Sequence, residues 1–372
     1  MNLVFYLFLY IIIIASIISI IIIFADLPTF RNTPLQKLKT FLTKLLNHGQ
    51  QSFNYVNYTV FDNKLQSYAN WIVPIGYLFV VTLCVSLFFI NTYPTLTTLY
   101  SSKSSALTLI NLYIDSTIAL VYIATTLAIF VTPGPINSKT YKTFKNNQLI
   151  FFDNRTCSTC LILKPARSKH CNTCGKCYPL YDHHCIWLNN CVGQNNFKWF
   201  ILFLLSNINL LIGGTILTFK VLQYQFIRWG KKSYWSLIKS SNDANKITGI
   251  FFIICIIFSL ITISFTLLHV RYIYLGVTTN ELDKWQDVEY LVKLGTLYKS
   301  STPLVDNQIY IEKIFDHNTN QHVYISLTDD RILIKEDNIS SYHLTQIKSV
   351  ANDLINIYDN GFWNNLQERL AF

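Results

Sequence analysis

The chain has 372 residues, of which 51% are hydrophobic and only 13% charged, and its mean hydropathy is +0.31. That balance excludes a string of soluble domains, because several uncharged runs are long enough to cross roughly 30 Å of hydrocarbon. The net charge of +10 is uneven: from Arg271 onward nine basic residues face fourteen acidic ones, so the first 270 residues carry about +15. In a multi-spanning chain such an excess reflects topology signals and attraction to anionic lipid or anionic cofactors, rather than nucleic acid.

Residues 3–24 form an uncharged run too long for the apolar core of a signal peptide, with no small-residue cleavage site after it, so a transmembrane helix is expected. Arg31, Lys37, Lys39 and Lys44 follow. They put the N-terminus outside and residues 25–70 in the cytosol, as a loop with a short basic helix at the membrane surface. Further spans are expected at 71–90 and, after a short polar turn, at 106–131. Asp115 lies inside the latter, at a depth where ionisable groups face a bundle interior or a wet cavity; no role is assigned to it. Thr132-Pro-Gly-Pro135 breaks that helix, and Lys139, Lys142 and Lys145 mark a return to the cytosol.

A cysteine-rich segment, 150–198, comes next, followed by spans at 199–219 and 249–270. Asn207, Asn209 and the Gly213-Gly214 pair read as helix-packing and hydrogen-bonding positions. The loop 220–248 carries six basic residues and one acidic, yet parity puts it on the lumenal side. Parity prevails, because thiolate metal sites belong in the reducing cytosol. Residues 271–372 then form a cytosolic tail. Within it Ile309–Glu312, His322–Leu327 and Arg331–Ile334 are β-type runs separated by turn residues, and the apolar spacing from Tyr342 to Leu370 is helical.

Seven of the nine cysteines and three of the eight histidines lie between Cys157 and Cys191. Two tetrahedral zinc sites take eight ligands. The window offers ten: Cys157, Cys160, Cys171, Cys174, Cys177, Cys185, Cys191, His170, His183 and His184. Three cysteines and one histidine at each metal leave one thiol and one imidazole over. A thiolate is a competent nucleophile, a neighbouring histidine can take its proton, and a carboxylate can orient that histidine. Asp182-His183-His184-Cys185 supplies all three roles, and spacing alone leaves open which histidine and cysteine are the surplus. Cys84 and Cys255, inside apolar runs, read as small buried hydrophobes.

Lys164, Arg167 and Lys169 are placed to cradle phosphates such as those of coenzyme A, although each also fits an ordinary solvated charge. Trp187, Phe197 and Trp199 approach the next span and set the module against the bilayer. That leaves little free surface for a nucleic-acid duplex. The expected fold class is an α-helical polytopic membrane protein with a cytosolic double-zinc cysteine-rich domain and a small β-containing C-terminal tail.

On these residues the chain resembles the DHHC family of protein S-acyltransferases, the integral-membrane palmitoyltransferases. The match runs C-x2-C-x3-K-P-x-R-S-x-H-C-x2-C-x2-C-x4-D-H-H-C-x-W-x-N-N-C-V-G, with Asn195 and Phe197 also in place. Thr278-Thr-Asn-Glu281 matches the family's T-T-x-E motif. Tyr358-Asp-Asn-Gly-Phe362, continuing to Asn365-Leu366, resembles a C-terminal element that packs near the active site. The resemblance implies one zinc at Cys157, Cys160, His170 and Cys177, and a second at Cys171, Cys174, His184 and Cys191. It implies Cys185 as nucleophile, His183 as base and Asp182 as orienting acid, with palmitoyl-CoA as donor and an acyl-enzyme intermediate.

Four features depart from the common pattern: Ile186 where proline is usual, Thr132 where D-P-G is usual, five spans in place of four, and a C-terminal signature that ends in Leu-Ala-Phe. The isoleucine and the extra span resemble a fungal endoplasmic-reticulum branch named for spore wall formation. That branch acylates membrane-fusion (SNARE) proteins at cysteines beside their transmembrane helices. The resemblance therefore implies an integral protein of the endoplasmic reticulum with its catalytic domain facing the cytosol. A second reading, a catalytically inert zinc-domain scaffold that binds a protein partner, predicts no hydroxylamine-sensitive acyl label.

Overall fold

The computed structural model describes residues 34–371, apart from 62–63, 135, 137–142, 231–232, 240–241, 301–308, 318–319, 329–331 and 336–343. The expected span at 3–24, Arg31, Lys139 and Lys142 lie outside the described residues, and so does the Lys39 side chain. The chain divides into two units, residues 1–72 and 73–372.

In the first unit, helix α1 (Pro34–Phe61) begins on a proline, whose fixed φ suits a first helical turn. Lys37 and Lys44 are exposed on it, as are Leu38 and Phe41. The short α2 (Lys64–Ala69) follows. The segment expected as a loop is thus helical over most of its described length. Its Asn, Gln and Tyr content does not break a helix when only Gly49 interrupts it.

Four helices among the described residues are long and apolar enough to cross a membrane: Leu65–Asn91, Ser104–Phe130, Phe197–Trp229 and Asp243–Tyr274. Within them run α3 (Ile72–Asn91), α5 (Ser104–Phe130), α6 (Phe197–Trp229) and α8 (Asp243–Tyr274). The polar turn between the first two holds α4 (Tyr93–Leu99), with proline in its first turn. Helices α6 and α8 outrun their apolar cores because capping groups, not hydropathy, end a helix. Gly230 closes α6 in the left-handed conformation, and the Asn242 side chain accepts from the N–H groups of Ala244 and Asn245 to open α8. Among the described residues between them lies the short α7 (Tyr234–Ile238).

Lipid offers no hydrophobic drive between helices, so small residues and polar ties hold the bundle. Tyr77 donates to Asn207 at 2.8 Å, and Asn209 donates to Thr117 at 2.9 Å. Gly213 and Gly214 face Tyr113 and Cys255 so closely that a Cβ at either would collide. Asp115 departs from expectation: it is exposed on α5 rather than turned into the bundle.

The cysteine-rich module contributes two hairpins, β1 (Lys169–Cys171) with β2 (Lys176–Tyr178), and β3 (His183–Cys185) with β4 (Asn190–Val192). Two asparagines fasten it to α5. The last carbonyls of a helix have no intrahelical donor. Here Asn190 donates to Ala128 and Val131, and Asn196 donates to Val131 and Cys191.

After α8 come α9 (Thr279–Leu294) and a five-stranded antiparallel sheet of order β8–β7–β6–β5–β9. Its strands are β5 (Leu297–Ser300), β6 (Ile309–Asp316), β7 (Gln321–Ser326), β8 (Ile332–Lys335) and β9 (Leu344–Gln346). Alternation along β6 sends Tyr310 to one core and Ile311 to another. Tyr310 and Leu297 pack with Ile150, Phe151 and Ala166, so the sheet seats against the start of the module. The described part of the stretch expected to be helical, residues 344–370, is not one helix but β9, α10 (Val350–Asp353) and α11 (Phe362–Leu370), with Gly361 at φ +83 before the last.

Candidate active site

Hairpin β1/β2 sets His170 opposite Cys177, and hairpin β3/β4 sets His184 opposite Cys191. The ligand atoms of Cys157, Cys160, His170 and Cys177 fall within 4.8 Å of one another, as do those of Cys171, Cys174, His184 and Cys191. Either cluster could hold a metal ion. In the second, His184 Nδ1 lies 3.4 to 3.7 Å from the three sulfurs, and Cys174 and Cys191 are 3.4 Å apart. In the first, His170 Nδ1 is 3.3 Å from Cys160 and 3.7 Å from Cys177. A tetrahedron with zinc bond lengths has S···N edges of about 3.6 Å and S···S edges of about 3.8 Å. The soft donor set and these spacings fit zinc, and four protein ligands leave no open position at it.

Strand β3 carries His184 into the second cluster, and its neighbours His183 and Cys185 remain outside either one. Asp182 Oδ2 accepts from His183 Nδ1–H at 2.7 Å and from the Thr279 hydroxyl at 2.7 Å. Its Oδ1 accepts from the Thr279 backbone N–H at 3.2 Å and lies 3.4 Å from Arg369 Nη2. The carboxylate thus sits at the first turn of α9, where backbone N–H groups favour an anion. Burial pushes the Asp182 pKa up, but the His183 hydrogen bond and the Arg369 charge overcome it and hold the carboxyl well below its usual range. Burial pulls His183 down, yet its hydrogen bonds to Asp182 and Cys185 raise it to about 9.

With Nδ1 engaged by Asp182, Nε2 is the nitrogen left for Cys185. Phe200 and His269 flank the His183 ring at 5.2 and 5.7 Å between centroids, edge-on and tilted. Cys185 is buried, but Ile186 and Trp187 immediately after it are 60% and 54% exposed. The thiol therefore lies at the foot of an apolar lip. This arrangement can deprotonate a thiol beside a surface suited to an acyl chain.

The three basic residues expected at one anion site separate in the structure. Arg167 is 2% exposed, and its guanidinium binds Glu281 through Nε at 2.6 Å and Nη2 at 2.8 Å. Nη1 pairs with Glu368 at 2.6 Å, Nη2 also donates to the Gly276 carbonyl, and Tyr358 and Phe144 cover the guanidinium at 4.7 and 5.0 Å. Its donors are engaged within the fold, which corrects the expectation of a phosphate contact. Lys169 is exposed and Lys164 half-buried. Sequence reasoning missed their companion Lys284, which donates to the Ile150 carbonyl at 2.8 Å over the Phe151 ring. Burial, with the charges of Lys164 and Lys169, pulls Lys284 down to about 8. Thr279 was visible only as a motif letter, and neither His269 nor Arg369 carried any local signal.

Fold and site together define a polytopic membrane protein whose Cys/His module presents a thiol beside a buried Asp–His pair. A family model described as DHHC palmitoyltransferase matches residues 150–286. The chain is 48% identical to palmitoyltransferase SWF1 of Candida albicans over 97% of both chains. It is 44% identical to palmitoyltransferase SWF1 of Debaryomyces hansenii, covering 100% of this chain and 98% of the relative. With palmitoyltransferase swf1 of Schizosaccharomyces pombe the figures are 32%, 97% and 95%. The chain belongs to the DHHC palmitoyltransferases, in their fungal SWF1 branch, and is an enzyme of that class.

Proposed function

We propose that the protein moves palmitate from palmitoyl-CoA to cysteines of membrane proteins through an acyl-enzyme on Cys185. The observation that carries this reading is the Asp182–His183 hydrogen bond two residues from Cys185, with His183 and Cys185 both set apart from the eight clustered ligands. His183 Nε2 takes the Cys185 proton, and the thiolate attacks the thioester carbonyl. A C–S bond forms, the bond to coenzyme A breaks, and the departing sulfur leaves with the proton from His183. In the second step a substrate thiol gives its proton to His183 and attacks the acyl group, and Cys185 departs and is reprotonated. No electron is gained or lost.

Zinc at Cys157, Cys160, His170 and Cys177, and at Cys171, Cys174, His184 and Cys191, supplies a fixed scaffold for the four strands. Lys164, Lys169 and Lys284 bind the phosphates of the donor. The exposed Ile186 and Trp187 support acceptors whose cysteines lie next to a transmembrane helix, with SNARE proteins as candidates. The module and the tail at 271–372 face the cytosol and the loop 220–248 faces the lumen, in an endoplasmic-reticulum protein of five spans. Asn57, Asn154 and Asn338 begin glycosylation sequons in segments read as cytosolic, and glycan on any of them in the native protein would overturn that orientation.

Purified protein incubated with a palmitoyl-CoA analogue should take up hydroxylamine-sensitive label at Cys185. The Cys185→Ser variant should remain folded and zinc-loaded, with neither label nor transfer. Undiminished thioester label in that variant would remove Cys185 from the mechanism. Acyl-exchange proteomics comparing wild type with Cys185→Ser would name the acceptors.

A further inference from the structure

We propose that Arg369, on the C-terminal helix α11, is a positioning residue for acyl transfer that acts through Asp182. The inference rests on the reading above, in which Asp182 orients His183. Arg369 is 4% exposed. Its Nη2 donates to the Val277 carbonyl at 2.8 Å and lies 3.4 Å from Asp182 Oδ1, and its guanidinium stands over the Phe197 ring at 5.0 Å. Nη1 is buried with no hydrogen-bond partner.

A guanidinium in such a place is not explained by packing. An apolar side chain of similar length would fill the space beside Phe197 without desolvating a charge or stranding an N–H. What the cation adds is a fixed partner for one oxygen of Asp182. The carboxylate has two equivalent oxygens, and rotation about its last bond would exchange them. His183 and the Thr279 hydroxyl both use Oδ2, while Oδ1 receives the Thr279 N–H and faces Arg369. Donors on both sides hold the carboxylate plane. That in turn fixes the imidazole rotation which aims Nε2 at Cys185.

The preceding residue makes a second connection to the same turn. Glu368 pairs with Arg167, Arg167 pairs with Glu281, and Glu281 accepts the Thr278 backbone N–H at 2.9 Å. Consecutive side chains of α11 therefore grip both ends of the turn that carries Thr278 and Thr279. Docking of the last helix is communicated to the Asp–His pair through charges, with no contact to the substrate.

The test is a double-mutant cycle in the full-length, zinc-loaded protein. Single-turnover acylation of Cys185 by palmitoyl-CoA is followed for Arg369→Met, Asp182→Asn and the double variant, with donor KM, zinc content and thermal midpoint measured alongside. Arg369→Met should slow acylation about 10-fold with KM and zinc content unchanged, and in the Asp182→Asn background its further effect should be less than about 2-fold. Arg369→Lys, which keeps the cation but not the fork, should recover part of the rate. It carries the cycle if the Met variant does not fold. Equal slowing by Arg369→Met in both backgrounds, slowing that tracks lost zinc, or no slowing at all would overturn the proposal while leaving Asp182 in its role. An Asp182→Asn variant as fast as wild type would overturn both.

Discussion

The two Cys/His clusters share a donor set but not a situation. The first, at Cys157, Cys160, His170 and Cys177, borders the exposed Leu161 and Leu163 and the basic residues Lys164 and Lys169. The second, at Cys171, Cys174, His184 and Cys191, contains a ligand with His183 on one side and Cys185 on the other. The two meet on β1, where His170 and Cys171 point to opposite faces and so enter different clusters. On the function proposed above, the first cluster would support donor binding and the second would support proton transfer.

The sharpest way to break that contrast is to remove one ligand from each. Cys191, fully buried, anchors the strand opposite His184. Cys191→Ser should lower the acylation rate by more than about 100-fold, because it frees the strand that aims the base. Cys157→Ser should lose its metal yet retain measurable acylation with a raised donor KM. Metal content and single-turnover rates of the two variants check this, and equal losses would make the clusters equivalent. Asp182→Asn comes next. It leaves both metals bound, and a slowing of roughly 10²-fold is expected from a base that has lost its orienting partner. Normal metal content with a collapsed rate would separate chemistry from scaffold within a single strand.

Arg167 gives the third test. Leaving a buried charge without its partner destabilises a protein by about 3–5 kcal/mol. Arg167→Met should therefore lower the thermal midpoint sharply, and the Arg167→Met, Glu281→Gln pair should recover part of the loss. Had Arg167 held a phosphate, the deficit would instead fall on donor KM at unchanged stability. Asp182 also predicts an acid limit. Its folded pKa lies below its ordinary value, so its share of stability is present above about pH 4 and disappears as pH falls toward its folded pKa.

How much of this was legible follows from how local each interaction is. Ligand spacing is local, so the Cys/His module and its surplus thiol and imidazole could be counted along the chain. So could the apolar helices, whose composition leaves few alternatives. Arg167, Lys164 and Lys169 look alike in sequence, and only burial by Phe144, Tyr358 and Glu281 tells the first from the others. Strand β9 was read as part of a helix because a three-residue strand shows no period of its own, and pairing with β5 decides it. Arg369 reaches Asp182, and Lys284 reaches Ile150, across long stretches of chain that no local pattern records.

The smallest effect tests the donor side of the contrast. Lys284 titrates near 8 because burial and its neighbours Lys164 and Lys169 oppose its charge, against a weaker pull from Glu281 and Asp287. As pH rises through 8 the folded protein loses a cation from the proposed phosphate site, so donor KM should rise by about 2- to 5-fold while the rate at saturating donor does not follow it. Stability moves the other way. An unfolded lysine holds its proton to about 10.5, so between pH 8 and that value the unfolded chain binds more protons and folding gains with pH. Lys284→Gln should show the raised KM at pH 7 and no step near pH 8, with acylation at saturating donor unchanged. A step that survives in this variant would belong to another group and would take Lys284 out of the donor site. Loss of both the step and the maximal rate would mean that the donor side and the chemical side are not separable, and the contrast between the two clusters would fail with it.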